Sequence, residues 1–356
     1  MYLIEPKRNG EWVYDQGTLM AIQAYARDNI FLDESIVFPY MPSPSVQIGL
    51  FQNAYEEVNQ PYMDEKNIGL VRRETGGGAI YLDDQNMSYC FLYNTDKDSD
   101  IYGNYGKLYQ PVINALEKLG VEGLEQKGRN DLTINGQKIS GAAMTVVKGR
   151  VYAGFSLLLD PDYATMEQVL NPNQKKIESH GIKSVRARVG ALRAAFGEEH
   201  KNINVWELTD FLLKEFLEVL DLDDAKRYVL TDEDWANIDA VANETYNNWD
   251  WNYGRFKEFQ YQVNERFEGV GTLHIGLTIK EAHIEDIQIN GDFFSVESMA
   301  DIQDALTNVK LRKADMMDAL SEFNFSDYIS NLSAEEFVNY ILEIPANQEE
   351  GEVYNA

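Results

Sequence analysis

The chain has 356 residues, 31 of them Lys or Arg and 59 Asp or Glu, for a formal net charge of −28. So acidic a balance argues against nucleic acid and against an anionic membrane surface, since both call for a cationic footprint. Apolar residues make up 44% and charged residues 25%, ordinary for a soluble globular protein, and the length suggests two domains.

One cysteine, Cys90, excludes a disulfide framework and any multi-cysteine metal site. The four histidines, His180, His200, His274 and His283, form neither H-x-H nor H-E-x-x-H. The N-terminus lacks the apolar region of a signal peptide, and no run approaches the ~18 apolar residues of a membrane span. A cytoplasmic, reduced setting is expected. The charge is uneven: residues 1–126 carry net −10, 127–193 net +6, and 194–356 net −24.

In chain order, residues 17–32 carry Leu19, Ile22, Tyr25 and Ala26 at helical spacing. In IVFPYMPSPSVQIGLFQN, Pro39, Pro42 and Pro44 divide strand-like runs, which predicts short strands joined by turns. A strand, a glycine loop and a second strand at about Met87–Tyr93 follow, then an amphipathic helix over 107–120. The Asn135-Gly136 and Lys148-Gly149 turns predict a meander of antiparallel strands. Helix returns over 205–220, and Thr231 with Asp234 forms a capping box for a helix running to about Thr245. The NWDWNYG segment, 248–254, reads as a seam between domains, and its Trp249, Trp251 and Tyr253 as packing there. Beyond it, Leu273, Ile275, Leu277 and Ile279 alternate as in a strand, Asn290-Gly291 makes a turn, and three helices follow, the last opened by Ser333 and Glu336. Strands and helices in no strict alternation predict a mixed-sheet α/β (α+β) fold.

Two stretches could carry chemistry. In Arg72-Arg73-Glu74-Thr75-Gly76-Gly77-Gly78, three glycines let the backbone approach a ligand and present N–H groups to phosphate. The adjacent arginines offer forked donors to phosphate or carboxylate. No Gly-Lys-Ser/Thr follows, so the loop is not a Walker A motif. The second stretch is Gly128-Arg129-Asn130-Asp131, then Lys138-x-Ser140-Gly141-x-Ala143. The turn at Asn135-Gly136 places Asp131 and Lys138 on paired strands, where lysine can act as a point charge and the carboxylate can orient an amine.

Taken together, RRxxGGGA[IV]Y, GRND and KxSGxA resemble lipoate–protein ligase A. SVQIGLFQN upstream and KKIESHGIKSVRARVGAL downstream agree, as do WDWNYG, a β-hairpin and LRKADMMDAL, so the resemblance spans roughly residues 15–345. It implies the fold of biotin ligases and class II aminoacyl-tRNA synthetases, with a catalytic domain at 1–248 and an accessory domain at 249–345. Residues 346–356 read as a disordered acidic tail. The implied reaction activates lipoate with ATP and Mg²⁺ to lipoyl-adenylate, then passes the lipoyl group to a lysine of a carrier. That carrier is a glycine-cleavage H-like protein or a 2-oxoacid dehydrogenase lipoyl domain.

The resemblance also implies residue roles. Arg73 contacts the nucleotide, Gly76 and Gly77 shape the loop, and Gly78, Ala79, Ile80 and Tyr81 line the adenylate site. Lys138 touches both the α-phosphate and the lipoate carboxyl oxygen, and Asp131 orients the incoming lysine. Val46–Gln52 and Gly141–Ala143 resemble walls for the acyl tail. Three positions depart from the family: Leu82 stands where His is typical, Leu50 where a basic residue is, and Ala153-Gly154-Phe155 where His-His-Gly is. The whole resembles a divergent second ligase of Gram-positive bacteria, with domain movement about a hinge near 244–256. Two alternatives are an ATP-independent acyl transferase using Cys90 and a non-catalytic paralogue that binds nucleotide or carrier.

Overall fold

The strands set the framework of a computed structural model that describes residues 1–96, 98, 100–170, 188–254 and 259–347. In chain order they are β1 (Tyr2–Leu3), β2 (Lys7–Arg8), β3 (Glu11–Trp12), β4 (Ile36–Tyr40), β5 (Ser45–Ile48), β6 (Gly69–Arg72), β7 (Ile80–Leu82) and β8 (Asn86–Asn94). Then come β9 (Leu124–Lys127), β10 (Asp131–Ile134), β11 (Gln137–Val147), β12 (Arg150–Leu158), β13 (Tyr261–Phe267), β14 (Gly271–Lys280) and β15 (His283–Gly291). A seven-stranded sheet has the order β1-β4-β8-β12-β11-β10-β9, and β6-β5-β7 form a separate small sheet. β1 runs parallel to β4 and β5 parallel to β6, while the other pairs are antiparallel. Both sheets are therefore mixed, as the irregular succession of elements predicts.

The large sheet is covered on both faces, and period-2 alternation decides which residue meets which cover. Tyr89, Phe91, Val151, Ala153, Phe155, Leu132, Ala142 and Met144 pack in one core with helices Tyr105–Lys118 and Val205–Leu217. Ile36, Phe38, Tyr40, Cys90, Leu92 and Tyr152 point to the other face, against helices Gln16–Asn29 and Asp232–Val241. The capping boxes read from sequence are formed: Thr231 and Asp234 bond reciprocally, as do Ser333 and Glu336. The helix expected to reach Thr245 ends as α at Val241 and continues as a π turn over Ala242–Tyr246.

The described chain divides into two compact units, each with its own core. The first holds residues 1–48, 54–73 and 79–254. The second holds residues 259–347 together with 49–53 and 74–78. In the second unit the meander β13-β14-β15 packs Leu273, Ile275, Leu277, Ile287 and Ile289 against helices Met299–Leu306 and Ala334–Asn347. Leu273, Ile275 and Leu277 alternate as the sequence predicts, and a bulge interrupts the pairing at Thr278/Ile279. Lys175, Lys176 and Lys183, residues 255–256 of the expected hinge, and the tail from 348 lie outside the described residues.

Candidate functional site

Asp131 and Lys138 meet as the hairpin reading expects: Nζ of Lys138 lies 2.7 Å from Oδ1 of Asp131. The turn has Asn135 at φ 51° and Gly136 at φ 80°, the left-handed pair that an Asn-Gly hairpin requires. A second device completes the geometry. Register runs Asp131↔Gly141 and Leu132↔Ser140, then shifts to Thr133↔Lys138. Ile139 is the extra residue of this bulge and stays in the core. In plain alternation Lys138 would share the core-facing side with Ser140; the bulge turns it onto the side of Asp131 and Gly141. Its side chain lies across Gly141, where a Cβ would stand 2.7 Å from Nζ.

From that pair a row of directly opposed residues crosses the sheet: Asp131, Gly141, Ser156, Ser88 and Tyr40. The next row on the same face holds Ala143, Gly154, Cys90 and Phe38. Between Asp131 and the aromatics of β4, then, every side chain in the two rows is small. Of the expected tail wall, Gly141 and Ala143 face this lane, whereas Ala142 is in the opposite core. Ala153, one of the departures from the family pattern, likewise points into that core, and Gly154 faces the lane. Leu82 is fully buried on β7, and Leu50 groups with the second unit, where its N–H donates to the Thr75 carbonyl.

The two arginines of the first motif part company. Arg73 is buried, Nη1 donates to the Gln47 carbonyl at 3.2 Å, and its N–H donates to the Ile48 carbonyl. Burial pulls its guanidinium down to about 10 against the opposing pull of Tyr40, Tyr152 and Glu57. Arg72 faces elsewhere: Nε donates to the Trp251 carbonyl and Nη2 to the Asn252 carbonyl. It serves main-chain carbonyls of the NWDWN segment, which corrects the reading of both arginines as ligand donors. Trp251 is thus tied to β6, while Trp249 is exposed and stacks on Tyr253 at 4.0 Å.

The glycine loop is also used by the chain itself. A Cβ on Gly76 would lie 2.2 Å from the Phe293 carbonyl oxygen, and the Gly77 N–H donates to that oxygen at 3.4 Å with φ 93°. The missing Cβ expected to admit a ligand here admits the Phe293 backbone. Gly78 belongs to the same unit as Gly76 and Gly77. Ala79 and Ile80 are half-buried, and Tyr81 packs with Val46, Met63 and Met166, where burial pushes its hydroxyl up.

Cys90 is buried, and burial pushes its thiol far up, against weaker pulls from Arg27 and Arg150. That suits a core thiol and not a nucleophile, which needs the thiolate. Part of the basic island is likewise spent internally. Nη1 of Arg150 donates to the carbonyls of Ala26, Arg27 and Ile30, and Arg193 donates to those of Lys201 and Ile203. Sequence reading missed Tyr40, Tyr152 and Ser88 as neighbours of this face; their signal is the alternation along β4, β8 and β12. No described helix is long and apolar enough to cross a membrane.

Residues 15–217 match the family model for the lipoyl protein ligase A/B catalytic domain, and 257–341 that for the bacterial lipoate protein ligase C-terminus. The chain is 46% identical to lipoate–protein ligase 2 of Staphylococcus aureus, over 96% of this chain and 100% of that protein. P. falciparum LipL1, solved with lipoate, shares the fold at TM-score 0.75 and 21% identity, over 96% of this chain and 99% of that one. The bi-partite lipoate protein ligase of Thermoplasma acidophilum, solved with its E2 lipoyl domain, matches at TM-score 0.60 and 26% identity, over 73% and 98%. The catalytic-domain match alone spans more than half of the chain, and the chain belongs to the lipoate–protein ligase A family: it is a lipoate–protein ligase.

Proposed function

We propose that this ligase activates lipoate with ATP and transfers the lipoyl group to a carrier lysine, using Lys138 and Asp131 as its central pair. The supporting observation is the bulge that turns Lys138 onto the face of Asp131, beside a lane of small side chains. In the first step a lipoate carboxylate oxygen attacks the α-phosphorus of ATP and pyrophosphate leaves. Two anions must approach, so a fixed cation at the point of attack lowers the barrier. Lys138 supplies it, and Arg73 holds the nucleotide phosphates with forked donors whose burial raises the worth of each contact. In the second step the carrier amine attacks the acyl carbon and AMP leaves. Asp131 takes a hydrogen bond from that amine and orients it. Ala143 and Gly154 present little side chain to the apolar acyl chain, while Gly141 is covered by Lys138.

Ala79, Ile80 and Tyr81 contribute main-chain groups to the adenylate site in this reading. Among the described residues no group of three or more His, Cys, Asp or Glu gathers as a cation site. Mg²⁺ would enter with the triphosphate and share in neutralising phosphate charge. Residues 1–248 take the catalytic role and 249–345 the accessory role in this reading, although 249–254 pack within the first compact unit. A cytoplasmic setting fits the single buried cysteine. The carrier is a lipoyl domain, the partner type that accompanies the T. acidophilum ligase, or a glycine-cleavage H-like protein. The test is a mass measurement on both candidate carriers after incubation with the protein, ATP, Mg²⁺ and lipoate. One added lipoyl group on one lysine supports the reading; unmodified carriers with every acid tried leave the non-catalytic alternative.

A further inference from the structure

Asn252 lies 180 residues from Arg72 in sequence, and its Oδ1 accepts the Arg72 N–H at 2.8 Å. The contact is one of several. The Asn252 carbonyl accepts Nη2 of Arg72, the Trp251 carbonyl accepts Nε, and the indole N–H of Trp251 donates to the Arg72 carbonyl at 2.9 Å. Nδ2 of Asn252 donates to the Tyr246 carbonyl, which joins the segment to the π turn. The π turn packs against helix Gln16–Asn29, where a Cβ on Gly17 would stand 1.8 Å from Oδ1 of Asn247. Arg72 and Asn252 are both buried, so these hydrogen bonds stand in for the water that their polar groups give up.

Arg72 is the last residue of β6, and Arg73 follows it directly. The Arg72 backbone is gripped on both its N–H and its carbonyl by Asn252 and Trp251. The next N–H, that of Arg73, is held by Ile48. Three consecutive main-chain anchors therefore fix the direction in which the Arg73 side chain leaves the strand.

We infer that Asn252, with Trp251, is a positioning residue for Arg73: it holds the strand end from which the nucleotide-binding guanidinium projects. The inference rests on the assignment of Arg73 to the nucleotide. Asn252 touches no substrate and acts through the Arg72 main chain. A small rotation there, multiplied by the length of an arginine side chain, moves the guanidinium off the phosphates.

The test is lipoate-dependent ATP–pyrophosphate exchange on the full chain. Asn252→Ala should raise the KM for ATP about tenfold while the KM for lipoate stays within about twofold. Asn252→Asp, which keeps an oxygen for the Arg72 N–H but loses the donor to the Tyr246 carbonyl, should recover part of the KM loss at a lowered melting temperature. In an Arg73→Ala background, Asn252→Ala should add nothing further, since its effect runs through Arg73. If Asn252→Ala does not fold, Trp251→Phe, which removes the bond to the Arg72 carbonyl and keeps an aromatic ring against Tyr246, should raise the KM for ATP with a smaller change in melting. An unchanged KM for ATP in the folded variants, or additive losses in the double variant, overturns the inference. Absence of exchange in the unsubstituted protein would instead overturn the assignment of function.

Discussion

Lys138 lies across Gly141, with its ammonium 2.7 Å from the Asp131 carboxylate and 2.7 Å from where a Gly141 Cβ would stand. The obstacle to a Cβ there is the far end of a flexible side chain. Gly141→Ala should therefore leave stability within about 0.5 kcal/mol but push Lys138 off its position. The rate of adenylate formation should fall at least tenfold, read by pyrophosphate exchange beside a thermal melt. A variant with normal melting and normal exchange would show that Lys138 does not need this position.

Gly76 presents the opposite case. The obstacle to its Cβ is the Phe293 carbonyl, which is main chain and cannot swing aside. Gly76→Ala should destabilise the second unit by about 1–3 kcal/mol, seen as a lowered calorimetric transition.

Arg73 is held against stability. Burial lowers its guanidinium to about 10, so at every pH below that value the folded chain bears the cost of a desolvated cation. The guanidinium stays charged in the folded and the unfolded chain throughout the neutral range, so neutral-pH melting should not vary with this group. Arg73→Met should keep or raise the melting temperature while the KM for ATP rises at least tenfold. A marked loss of stability would show the cation to be structural.

Cys90 should be inert. Its thiol is buried and pushed up by burial, so the native protein should resist a thiol reagent that labels it fully after unfolding. Cys90→Ala should keep exchange and transfer activity. Rapid native labelling with loss of activity would contradict this.

The elements that depend on local signals were legible in the sequence. The Asn135-Gly136 turn, the two capping boxes and the alternation of Leu273, Ile275 and Leu277 each involve residues close in sequence, and each is observed. What was not legible depends on distant partners. Arg72 and Arg73 look equivalent in the motif, yet neighbours on a strand face opposite ways, and the acceptors of Arg72 lie 179 and 180 residues away. The glycine run reads as an open cradle, because nothing local reveals that Phe293 will pass beside Gly76. The convergence of Asp131 and Lys138 follows from the turn, but the bulge at Leu132/Thr133 that sets its face leaves no mark in composition. The opening charge of −28 is sharpened in the same way. Of the basic island, Arg150 and Arg193 serve internal carbonyls, whereas Lys138 stays partly exposed on the lane.

The most direct measurement of the central claim is lipoate-dependent ATP–pyrophosphate exchange with three proteins: unsubstituted, Lys138→Ala and Cys90→Ala. Exchange that requires lipoate, is lost by at least a thousandfold in Lys138→Ala, and persists in Cys90→Ala is the predicted result. Exchange undiminished in Lys138→Ala, or a lipoyl thioester recovered on Cys90, would contradict it.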